Sequence, residues 1–63
     1  MNNYMQVGDI TKEQMLKQLG DKLSDMQGIK PKDARRAIQR AMKKASYQQW
    51  LDLYNDTFYR GGK

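Results

Sequence analysis

Apolar residues recur along the chain in three blocks, each with the spacing of one helix face, and residues that stop or start helices separate them. In the first block Met15, Leu16, Leu19, Leu23 and Met26 share a side at about 100° per residue, while Glu13, Lys17, Asp21 and Asp25 point away. This predicts a helix over 12–27. Thr11 is its N-cap, Gln14 completes a capping box, and Ile10 and Met15 stand where a hydrophobic staple closes that end. Gly28 takes the left-handed position that ends such a helix, with Ile29 expected to fold back onto Leu23. Gly20, inside the helix, costs about 1 kcal/mol relative to Ala. It marks either the close approach of another helix or a glycine that is merely tolerated.

The second block is Ala34, Ala37, Ile38, Ala41, Met42 and Ala45, and it predicts a helix over 31–45. Pro31, with its fixed φ and no N–H, suits the first helical position. Asp33 in the first turn, and Lys43 and Lys44 in the last, complement the helix dipole. A stripe made mostly of Ala lets a neighbouring helix come close but buries little area.

In the third block Tyr47, Trp50, Leu51, Tyr54 and Phe58 share a face opposite Gln48, Asp52 and Asp56, which predicts a helix over 47–59. Ser46 and Gln49 form a second capping box. Carried straight on, the Ala stripe would lead to Gln48, Gln49 and Asp52, about 200° from the aromatic stripe. One continuous rod would therefore present apolar surface on opposite sides, which only a dimer burying both faces would accept. A break at Ala45–Ser46 turns both stripes toward one core. The expected fold is all-α, a small three-helix bundle forming a single domain over residues 10–60. Residues 1–9 show no period and read as an N-terminal arm, disordered unless Tyr4, Met5 and Val7 dock on the bundle. Residues 61–63 read as a frayed tail.

At 63 residues the chain buries only about 60% of its unfolded surface, so its stability depends on efficient packing or oligomerisation. It contains no Cys and no His. Disulfides are excluded, and a zinc or haem site would lack its usual ligands, so no cofactor or metal is expected. The absence of Cys suits a reducing, cytoplasmic setting. No apolar run approaches the ~18 residues of a membrane span, and the N-terminus lacks the basic-then-apolar pattern of a signal peptide.

Charge is distributed unevenly. Seven of the twelve basic residues lie between Lys30 and Lys44, with Asp33 as the single acid among them. The net charge of +5 is therefore a property of this one segment. On the helical wheel Lys32, Arg35, Arg36, Arg40, Lys43 and Lys44 fall on the half opposite the Ala stripe. A face that only solubilises tends to interleave Glu with Lys, and this one does not. Several cations on one surface neutralise phosphates and release counterions, and Arg adds a planar fork for phosphates or guanine edges. These six residues are the candidate site for nucleic acid, DNA or RNA, or for an acidic protein surface. An anionic membrane is a poorer partner, because the apolar face is largely Ala and has no aromatic.

Catalytic chemistry is poorly represented. There is no His or Cys to build a nucleophile–base pair. Asp52 and Asp56 are i, i+4 neighbours on an expected solvent face, and Gly61-Gly62 leads into no strand or helix. The chain is not expected to be an enzyme. The aromatics of the third block read as core and not as a base-stacking platform. Leu53 and Tyr59 lie off the stripe and are candidates for a partner or homodimer contact. Helices 1 and 2, joined by Gly28-Ile29-Lys30, resemble a helix-turn-helix pair in outline only. On that outline Lys32, Arg35 and Arg36 would reach bases. The expected function is a small non-enzymatic nucleic-acid-binding protein, a regulator acting as a dimer. The alternative is an adaptor or inhibitor module that binds an acidic surface of another protein.

Overall fold

Thr11 and Ser46 fix where two of the three helices begin. In the computed structural model, which describes residues 5–60, Thr11 Oγ1 accepts from Gln14 N–H at 3.1 Å and Thr11 N–H donates to Gln14 Oε1 at 2.9 Å. Ser46 and Gln49 repeat the exchange at 3.3 and 2.9 Å. Helix α1 follows over Lys12–Gln27, α2 over Pro31–Ala41 and α3 over Tyr47–Asn55, which continues into a π-helical segment over Asp56–Arg60. All regular structure among the described residues is helical. The expected three-helix all-α fold is the observed one. The expected tail at 61–63 and the first four residues of the expected arm lie outside the described residues.

Helix α1 stops at Gly28, whose φ of 70° is left-handed. The Gly28 and Ile29 N–H groups both donate to the Ser24 carbonyl, at 2.9 and 3.2 Å, and the Ser24 hydroxyl donates to the Ile29 carbonyl. These bonds make the stop, and Ile29 itself stays 39% exposed.

Helix α2 ends four residues earlier than its apolar pattern predicts. Its last bond runs from Met42 N–H to the Ile38 carbonyl at 2.8 Å, and Ala45 N–H then turns back to the Met42 carbonyl at 3.0 Å. Two causes act together. Continuing the helix would stack Lys43 and Lys44 over Arg36 and Arg40 as like charges. It would also draw Ser46 into helical geometry and cost α3 its cap. Lys43 and Lys44 therefore sit in a turn just past the helix end and not in its last turn. The break rules out the continuous rod.

Helix α1 is the hub, since α2 and α3 each pack on it and touch each other little. The buried core is Ile10, Met15, Leu19, Trp50, Leu51 and Tyr54, with Leu16, Ile38, Met42 and Leu53 half-buried against it. Met15 is fully buried where the staple was expected. The resulting body is flat, 33 × 27 × 14 Å. Flatness explains two departures from the expected core. Met26 is 67% exposed near the C-terminal end of α1, and Ala37 and Ala41 are exposed because no third layer covers that flank of α2. The inward row of α2 is Ala34 and Ile38, carried on at the same spacing by Met42 just past the helix end.

Gly20 marks a close approach. A Cβ placed there would overlap Arg35 Cγ and lie 3.3 Å from Arg35 Cα. The missing side chain at 20 is what lets α1 and α2 come together.

The described part of the expected arm is docked. Met5 N–H donates to Asn55 Oδ1 at 3.0 Å, and Asn55 Nδ2 donates to the Met5 carbonyl at 3.1 Å. Gly8 N–H donates to the Tyr47 hydroxyl at 3.1 Å, and that hydroxyl donates to the Ile10 carbonyl. Residues 5–9 are thus bound to α3, although Val7 points out at 67% exposure.

Candidate nucleic-acid interface

The inward row Ala34, Ile38, Met42 has a counterpart on the other side of α2. Lys32, Arg36 and Arg40 share its i, i+4, i+8 spacing, lie roughly opposite it, and rise about 6 Å per step along the axis. All three are exposed, and none pairs with a carboxylate among the described residues. Asp33, in the first turn, is placed where the helix dipole favours it.

The other three members of the predicted site are divided by the fold. Arg35 lies on the flank facing α1. Its stem covers Gly20, and its guanidinium stands 3.8 Å from Asp21 with 39% of the side chain exposed. The ion pair is solvent-exposed and contributes little by itself. The packing of the stem is what gives Arg35 a structural role, so it is not a free member of the cationic row. Lys43 and Lys44, adjacent in sequence, line different depressions. Lys43 borders a groove with Lys12, Glu13, Leu16, Gln39, Met42, Ala45 and Trp50. Lys44 borders a second one between α2 and α3 with Ala41, Leu53, Gln49 and Asp52. The six residues therefore form a three-residue row, one packed arginine and two diverging lysines.

Lys12 joins Lys43 at one groove, a pairing the sequence gives no sign of because it depends on how the chain turns at 42–45. The aromatics are mostly committed elsewhere. Trp50 and Tyr54 are buried, and the Tyr54 hydroxyl donates to Gln18 Oε1 at 2.6 Å. The Tyr47 hydroxyl holds the N-terminal segment. Leu53, expected as a contact residue, is half-buried against the core. Tyr59 is 36% exposed, and its ring lies 6.1 Å from that of Tyr54.

No helix among the described residues is long and apolar enough to cross a membrane. Comparison with protein-family models, with curated proteins and with solved structures finds no match for this chain.

Proposed function

We propose that this chain is a small, non-enzymatic, cytoplasmic nucleic-acid-binding protein whose contact surface is the Lys32–Arg36–Arg40 row, extended at its end by Lys43 and Lys44. The observation that carries this reading is the row itself. Three exposed cations stand at regular helical spacing with no acid paired to them, opposite the side that packs on α1. Such a row tracks a phosphate backbone and releases counterions on contact. Arg36 and Arg40 add bidentate forks, which favour phosphate or guanine over a diffuse counterion cloud. With roughly 3–5 phosphates neutralised, affinity falls steeply with salt. The test is a binding titration at low salt with duplex and single-stranded DNA and RNA. Absence of binding to all of them defeats the proposal.

A second reading, an adaptor or inhibitor module for an acidic protein surface, draws on the exposure of Ala37 and Ala41 beside Arg36 and Arg40. Small side chains there let a partner backbone come close while the flanking cations steer it. A protein partner captured after nuclease treatment, and lost on Arg36→Glu, favours this reading over the first. A homodimer across the same flank would give a two-fold version of either function. Light scattering at micromolar concentration decides it, and a clean monomer removes that option.

A further inference from the structure

Where α2 gives way to the turn, a groove of about 310 Å³ opens between the start of α1, the end of α2 and the start of α3. Its floor is apolar: Leu16, Met42, Ala45 and Trp50, which is 6% exposed. Lys12, from the start of α1, and Lys43, from the turn after α2, line it as well, with Gln39 and Glu13 as the remaining polar groups. We infer that this groove holds one unpaired nucleobase of a single-stranded nucleic acid, with the phosphates on either side of it bound by Lys12 and Lys43. The inference rests on the nucleic-acid reading above and adds to it the strand state of the ligand.

Size is the first argument. The groove lies near the lower end of the range for small-molecule sites, enough for one flat ring system. Chemistry is the second. A base has apolar faces and a polar edge. The floor suits the faces, and the Gln39 amide and Glu13 carboxylate can donate to and accept from the edge. In a duplex that edge is already paired and the faces are stacked, so only an unpaired base can use the groove. Position is the third. Lys43, which lines the groove, follows Arg40, the last cation of the exposed row, by three residues, so the row and the groove lie at the same end of α2.

Trp50 is the only tryptophan, so its emission reports on the groove floor directly. The experiment titrates the full chain with oligothymidylate and oligouridylate of about ten nucleotides, and with a mixed-sequence duplex, reading both affinity and Trp50 emission. Saturable quenching by either single strand, without quenching by the duplex, is the expected result. A Lys12→Ala, Lys43→Ala double variant should lose at least about tenfold more affinity for single strands than for duplex. A Lys17→Ala, Lys22→Ala variant, with equal charge loss on exposed α1 positions, should weaken both modestly and alike. Unchanged Trp50 emission with a bound single strand, equal quenching by duplex, or equal losses from the two double variants overturns the inference and leaves the proposed function standing. Failure of the wild type to bind any strand defeats both.

Discussion

Gly20 of α1 lies directly under the stem of Arg35 of α2, with no room between them for a methyl group. Helix propensity alone makes Gly20→Ala favourable by about 1 kcal/mol. Overpacking at a helix contact costs about 1–3 kcal/mol. The contact should win, so Gly20→Ala is expected to lower the urea midpoint, and adding Arg35→Ala should restore part of the loss by removing Cγ. A Gly20→Ala variant more stable than the wild type would mean the approach is not tight.

Arg35 and Arg36 are neighbours in sequence with different tasks. Arg35→Glu places a carboxylate over Gly20 beside Asp21, so it should act mainly on stability. Arg36→Glu changes an exposed position and should leave the midpoint within about 0.5 kcal/mol while weakening nucleic-acid binding. Thermal melts beside binding isotherms separate the two. Equal effects of both variants on binding at equal stability would return Arg35 to the contact surface.

The N-terminal segment is held by few groups, and each can be removed. Tyr47→Phe leaves Gly8 N–H and the Ile10 carbonyl without their partner, at about 1–2 kcal/mol. Asn55→Ala frees both backbone groups of Met5. Either change should speed proteolytic cleavage within residues 5–10 before the helices are cut. Cleavage rates equal to the wild type would show that the segment is held in another way.

Most of the fold was legible because its signals are local. Thr11 with Gln14, Ser46 with Gln49, Pro31 and Gly28 each act within a few residues and marked the helix ends correctly. The end of α2 was not legible from its stripe, because Met42 and Ala45 remain apolar and inward in the turn that replaces the last helical turn. Likewise, a wheel centred on all six apolar positions puts Arg35 with the free cations. Exposure of Ala37 and Ala41 rotates that centre toward Ile38 and brings Arg35 to the α1 flank. Only packing reveals such a rotation. The docking of Met5 on Asn55 has no periodic signature at all.

Tyr54 gives the fold an alkaline limit. Burial, and then the neighbouring Tyr59, push its phenol above the ordinary value of 10.0. The folded state thus holds the proton more tightly than the unfolded chain does. The stability this contributes is complete below pH 10 and is lost as pH rises through the raised folded value. Urea midpoints should fall on going to about pH 11, and Tyr54→Phe should flatten part of that fall. An identical pH profile for the variant would exclude Tyr54 as the cause.

The claim on which the functional account rests is that the Lys32, Arg36 and Arg40 row contacts phosphate. It is tested most directly by the slope of log affinity against log salt for wild type and for a Lys32→Glu, Arg36→Glu, Arg40→Glu variant with unchanged helicity. The row contributes about 0.9 to the slope for each duplex phosphate it neutralises, so the variant should lose about 2–3 units of slope and most of its affinity. A variant that binds with the wild-type slope contradicts the account.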